Sequence, residues 1–167
     1  MRTTLALALV VAALSAAAPA RVHSQARSKT ANLQVTAEIP ANCTLTPHDL
    51  NFGPYDPVVA NKTTPLSGQT TIDLMCTVGT VGRVDLDYGQ HGRVFERAMT
   101  DSTGARLVYS LFRNPGATDP FRSNAQGAPF TTRADGRYVM FVYGRVAASQ
   151  NVAAGNYSDT VLATVYY

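Results

Sequence analysis

The sequence predicts an all-β protein, built as an antiparallel sandwich of short strands. Three observations predict it. Several segments alternate apolar and polar residues with a period of two, which gives a strand one dry face and one wet face. Turn-forming residues (Gly, Pro, Asn and Asp) recur roughly every ten residues between these segments. No amphipathic helical pattern follows the apolar N-terminus, and no internal repeat is present.

Residues 1–26 read as an export signal. Arg2 supplies a positive start, Leu5 to Ala18 is an apolar run shorter than a comfortable membrane span, and two small-x-small cleavage sites follow. They are Ala18-Pro19-Ala20 and Ser24-Gln25-Ala26. Cleavage after Ala26 is preferred, cleavage after Ala20 is the alternative, and a retained anchor is the competing reading. No other run approaches transmembrane length, so the exported chain is expected to be soluble. Removing 26 residues from 167 leaves 141, enough for one domain with a hydrophobic core. Cleavage also takes Arg2 and Arg21 from the 14 basic residues, leaving 12 against 11 acidic ones. With charge so balanced, and no basic run interleaved with aromatics, a nucleic-acid partner is excluded.

After a polar leader, Arg27 to Thr30, comes the most regular stretch in the chain. Ala31, Leu33, Val35, Ala37 and Ile39 alternate with Asn32, Gln34, Thr36 and Glu38. Nine residues at about 3.3 Å each make a strand of roughly 30 Å. Pro40 ends it by removing a ladder donor. Segments this close to a chain start fray unless tied down, so the apolar face needs a groove. That groove belongs either to its own domain or to a neighbour.

The elements that follow are read in order. Asn42 to Leu45 is a short strand. Leu50 to Gly53 is strand-like and stops at the turn Pro54-Tyr55-Asp56-Pro57. Ala60 to Gly68 is loop. Thr70 to Cys76 is a strand with Ile72, Leu74 and Cys76 on one face. Gly79 and Gly82 bracket a bend, and Val84 to Tyr88 alternates with Val84, Leu86 and Tyr88 on one side. Val94 to Met99 and Arg106 to Phe112 flank Asp101-Ser102-Thr103-Gly104 as a hairpin whose inner face is Leu107, Tyr109 and Leu111. Asn114 to Arg133, rich in turn formers, is the longest loop. Tyr138 to Tyr143 is apolar on both parities and reads as a central strand buried on both faces. Ala147 to Gly155 reads as a mobile connection. Asp159 to Tyr167 closes the chain, with Val161, Ala163, Val165 and Tyr167 on one face.

Candidate chemistry is sparse. Cys43 and Cys76 are the only cysteines, and an exported chain with an even count favours a disulfide. It would close a loop worth roughly 3.5 to 4 kcal/mol in chain entropy. Two cysteines so far apart make a poor zinc site, and neither has an adjacent histidine for thiol catalysis. His91, between glycines, is read as an exposed turn histidine rather than a base. Asp85 and Asp87 share a strand face and are read as solvated rather than as an acid–base pair or calcium site. Ser158-Asp159 has no histidine nearby in sequence and is read as a strand start. Gly79 and Gly82 precede no helix, so they make no phosphate cradle. Asn42, Asn61 and Asn156 stand in glycosylation-type triplets, without weight in a bacterial host. No enzyme, cofactor or metal site is assembled.

Taken together, several stretches resemble one family. They are Cys43-Thr44-Leu45, Leu50-Asn51-Phe52-Gly53-Pro54-Tyr55-Asp56-Pro57, Thr71-Ile72-Asp73-Leu74-Met75-Cys76, Val142-Tyr143-Gly144-Arg145 and Gly155-Asn156-Tyr157-Ser158-Asp159-Thr160-Val161. The ordered set is similar to the spore coat protein U domain family, which includes pilin subunits of archaic chaperone–usher pili. The resemblance covers nearly all of the exported chain. Two loop regions depart from it. Ala147-Ala148-Ser149-Gln150 stands where members often have Pro-Ala-Gly-Gln, and Phe121-Arg122 lies where many have Trp-Gly.

The resemblance implies an incomplete immunoglobulin-like sandwich over residues 43–167, preceded by a leader and donor strand over 27–42. In that scheme a periplasmic chaperone fills a groove left by a missing strand. An outer-membrane usher then exchanges the chaperone for the N-terminal extension of the next subunit. Carried over, Ala31, Leu33, Val35, Ala37 and Ile39 are the donor side chains. Val161, Ala163, Val165 and Tyr167 mark the acceptor groove and C-terminal strand, and Cys43 and Cys76 form the family's disulfide. The implied product is a cell-surface pilus, assembled from identical or related subunits and serving adhesion and biofilm formation. The alternative is a secreted spore- or cell-coat protein of the same fold without chaperone–usher assembly. A carbohydrate-binding module would need an exposed aromatic platform, whereas Tyr88, Tyr109 and Tyr143 are assigned to the core.

Overall fold

The computed structural model describes residues 26–123 and 126–167. The export-signal reading therefore lies outside the described residues, apart from Ala26. Eight strands follow: β1 Cys43–Pro47, β2 Leu66–Cys76, β3 Val81–Leu86, β4 Arg97–Thr100, β5 Arg106–Phe112, β6 Ala128–Thr131, β7 Arg137–Val146 and β8 Ala163–Tyr166. No helix occurs among the described residues. All pairings are antiparallel. They form a five-stranded sheet in the order β1-β2-β7-β5-β4 and a three-stranded sheet in the order β6-β3-β8.

The β2–β7 pair is the axis of the large sheet, in register from Leu66↔Val146 to Met75↔Arg137. That length explains why β2 begins at Leu66, inside the stretch expected to be loop. Its inner face presents Ile72, Leu74, Met140 and Val142 to Val84 and Leu86 of the small sheet, all buried. The expected hairpin is present as β4 and β5, with Leu107, Tyr109 and Leu111 buried. Cys43 and Cys76 oppose each other in β1 and β2 and are disulfide-bonded, with Cα atoms 4.1 Å apart.

Leu50 to Gly53 is not a strand. The reason lies across the sheet, where Gly68 of β2 and Gly144 of β7 are cross-strand partners. Together they leave a hollow that Leu50 and Phe52 fill. A Cβ at Gly144 would lie 2.5 Å from Leu50 Cδ2 and 2.6 Å from Phe52 Cζ. The alternation of Leu50 and Phe52 is thus an alternation of packing without a ladder.

Other expectations are corrected. Gly82 lies inside β3 rather than at a bend, and glycine is needed there because a Cβ would overlap the Tyr166 carbonyl and meet the Phe130 ring at 2.8 Å. The long loop contains β6, whose Pro129 is tolerated because β6 is an edge. Val94 and Phe95 are exposed before β4. Val139 and Phe141 on the outer face of β7 are 47% and 51% exposed, so among the described residues β7 is buried on one face only. Asp85 is 6% exposed rather than solvated, with Arg83 Nε 3.3 Å from its carboxylate.

The connection after β7 is tied down. The Gln150 side chain accepts from Val108 N–H at 2.7 Å and donates to Val108 C=O at 2.8 Å. The backbone N–H of Gln150 also donates to Tyr55 Oη at 2.9 Å. Ser149 takes the left-handed conformation (φ 64°) at the position where the resembling pattern has glycine. The final strand is shorter than expected, because Leu162 N–H donates to the Asp87 side chain instead of a ladder carbonyl.

Two outcomes follow. Gly144→Val should expel Leu50 and Phe52 from their hollow and destabilise the domain by about 1–3 kcal/mol, read by chemical denaturation. At the β4–β5 turn, the Thr103 hydroxyl, with the backbone N–H groups of Ala105 and Thr103, holds the Asp101 carboxyl below its ordinary range. A lowered folded-state value means that Asp101 contributes stability above the ordinary carboxylate range and loses it as pH falls through the folded value. Asp101→Asn should flatten that part of the acid limb in a stability–pH profile.

Candidate functional site

Among the described residues β8 is bonded to one strand, β3. Its register with β3 runs Leu86↔Ala163, Asp85↔Thr164, Val84↔Val165 and Arg83↔Tyr166. Val84 and Leu86 point into the core, so Ala163 and Val165 do too, by parity. Yet Val161, Ala163 and Val165 are only half-buried, although they pack against the core. Across the sandwich stands β1, the edge of the large sheet, with Cys43 and Leu45 also half-buried. The two edges approach each other, and the Tyr167 hydroxyl lies 3.5 Å from Asn42 Oδ1. Tyr167 itself is exposed beyond the end of β8. This side of the sandwich is therefore an apolar edge with no strand covering it among the described residues.

Residues 26–42 contain no strand, and all are exposed. Leu33, Val35 and Ile39 are 87%, 85% and 81% exposed. The period-two pattern of Ala31 to Ile39 is therefore not expressed as a strand in the isolated chain.

His91, Asp87 and Asp159 meet at the chain's approach to β8, together with Tyr109 and Arg97. The Asp159 side chain is 2% exposed, so it is no ordinary strand start. It accepts hydrogen bonds from the Tyr109 hydroxyl at 2.8 Å and the His91 backbone N–H at 3.2 Å, and His91 Nδ1 lies 3.2 Å away. His91 is thus a half-buried partner of a carboxylate rather than a free turn residue. Burial first, then the bond to Asp159, pushes the Tyr109 phenol far above its ordinary range. Arg97 is buried and donates to the Asp87 carbonyl at 2.7 Å and the Leu86 carbonyl at 2.8 Å. Burial lowers its pKa, opposed by the surrounding tyrosines and carboxylates. No group of three or more His, Cys, Asp or Glu able to hold a metal occurs among the described residues.

Of the tyrosines assigned to the core, Tyr109 is buried there and Tyr88 is half-buried over Arg97. Tyr143 stands instead on the outer face of the large sheet, stacked with Phe141 at 6.3 Å between ring centroids. The sequence reading missed the Gly68–Gly144 hollow and buried Arg97. Neither has a local signal, since each depends on a partner distant in the chain.

The two antiparallel sheets, one ending on an edge strand, define the class: an immunoglobulin-like all-β sandwich. The chain belongs to the Spore Coat Protein U domain family, whose model matches residues 29–164. It is 30% identical over 181 positions to Protein U of Myxococcus xanthus, covering all of this chain and 98% of that one. A chain in the chaperone–tip adhesion subunit pre-assembly complex of the archaic chaperone–usher Csu pili of Acinetobacter baumannii is similar at 25% identity, with a TM-score of 0.53. That match covers 77% of this chain and 40% of the solved one, so this chain spans less than half of its solved relative. The minor tip subunit of the E. coli Hda pilus aligns at 20% identity over 74% of this chain and 79% of its own, with a TM-score of 0.37.

Proposed function

We propose that this chain is a structural pilus subunit that polymerises by donor-strand complementation. Ala31, Leu33, Val35, Ala37 and Ile39 of one subunit enter the open side between β8 and β1 of the next. The observation that carries this reading is β8, an edge strand whose core-facing residues Ala163 and Val165 stay half-buried, as does Val161 just before it. Similarity to a chain from a chaperone–usher pre-assembly complex supports it. A periplasmic chaperone holds the open side first, and an outer-membrane usher replaces it with the leader of the following subunit. The product is a surface pilus, exported through the periplasm, serving attachment and biofilm formation.

The energetics are adequate. Burying three large and two small aliphatic side chains contributes roughly 6 to 10 kcal/mol as an upper value. Each ladder hydrogen bond adds about 1 kcal/mol. That sum rivals the stability of a whole domain. Because the leader and the open edge are different surfaces, the contact is heterologous and builds an open filament.

One observation favours a second reading. Protein U, matched over 98% of its length, shares its name with the family, and a coat protein of this fold would use the same open side without a chaperone. Co-expression separates the two, since only the pilin should be recovered bound to a chaperone of the Csu type. The deciding experiment removes residues 27–40. The truncated chain should still bind the chaperone yet form no fibres by electron microscopy; fibres of wild-type length would refute the donor role.

A further inference from the structure

We propose that the carboxylate of Asp159 is the positioning group for the exposed edge of β8. It fixes the chain entering that strand to the large sheet and so holds the edge in place for a further strand. The functional half of this proposal rests on the strand-accepting reading above.

The geometry carries it. β8 has four residues and one bonded side, too little to define its own position. The segment before it is held by other means. Ser158 exchanges both backbone hydrogen bonds with Thr100 of β4, at 2.9 and 3.0 Å. Asp159 then reaches Tyr109 of β5 through one oxygen, and through the other His91 in the loop after β3. The Thr160 and Leu162 carbonyls accept from Gln90 and Asp87 N–H, each at 3.0 Å. One buried carboxylate thus links β5 of the large sheet to the β3–β4 connection at the point where the chain passes into the small sheet. The loop is shaped to admit it: Gly89 has φ 78°, and a Cβ there would overlap Asp159 Oδ2. Asp159 is also the acid of the closing Gly155-Asn156-Tyr157-Ser158-Asp159-Thr160-Val161 stretch, which the sequence alone reads as a strand start.

The test is amide hydrogen exchange on the full exported chain as wild type, Asp159→Leu, Asp159→Asn and Tyr109→Phe. Asp159→Leu strands the Tyr109 hydroxyl and the His91 N–H. It should speed exchange across Val161–Tyr166 about tenfold or more, while β2 and β7 change less than about twofold. Asp159→Asn should stay within about threefold of wild type, because its amide oxygen still accepts from His91 and its N–H can donate to the phenol oxygen. Unchanged exchange in β8, or equal acceleration in β2 and β7, overturns the proposal. If Asp159→Leu fails to accumulate, Tyr109→Phe decides: selective acceleration of β8 supports the proposal and none overturns it. A synthetic peptide of residues 31–39 tests the functional half. Weaker capture by Asp159→Leu than by wild type supports it, and equal capture despite a loosened β8 overturns it. If no chain captures the peptide, wild type included, but β8 loosens selectively, the strand-accepting function fails and the positioning role stands.

Discussion

The four residues of β8 bond to β3 along one side and to no strand along the other among the described residues. An unpaired edge beside apolar side chains is a template for another strand, and proteins usually blunt such edges with proline, charge or cover. The other edge of the small sheet follows that rule, since β6 carries Pro129. β1 ends on Pro47. β8 reads Ala163-Thr164-Val165-Tyr166, with neither proline nor charge. Its inward residues are half-buried where their partners Val84 and Leu86 are fully buried. The asymmetry among these edges is what a strand-accepting subunit needs, and our functional reading depends on it.

The rest of the domain keeps that edge open without losing the fold. The long β2–β7 pair and the disulfide across β1 and β2 give the large sheet a rigidity that does not depend on β8. Leu50 and Phe52 reach into the Gly68–Gly144 hollow and bring the connection after β1 back over the core without spending a strand on it. Gln150 and Tyr55 pin the connection after β7. The longest ladder and the disulfide thus lie in the large sheet, while the small sheet ends on β8, whose second side is unpaired among the described residues.

Much of this was legible in the sequence, and what was not has a physical reason. Period-two alternation found β2, β5 and β8, and the turn at Asp101–Gly104 found the hairpin, because these signals are local. β6 was hidden by the Pro and Gly around it, whose composition marks loops as well as edges. β7 looked buried on both faces because Val139 and Phe141 are apolar, although both stand about half exposed on the outer face of the large sheet. The Asp159 cluster was invisible: Tyr109, His91 and Asp159 are separated by up to 68 residues, and only the fold brings them together. The leader was the clearest strand signal in the chain, yet residues 31–39 form no strand here. A pattern that strong with no ladder is what motivates placing its partner in another molecule.

The most direct measurement is amide hydrogen exchange of Ala31 to Ile39 in the monomer and in the assembled material from the same preparation. The account requires rapid exchange in the monomer and protection comparable to β2 once subunits have joined. Protection of that stretch in a dilute monomer, unchanged on assembly, would mean the leader completes its own sheet, and would contradict the account.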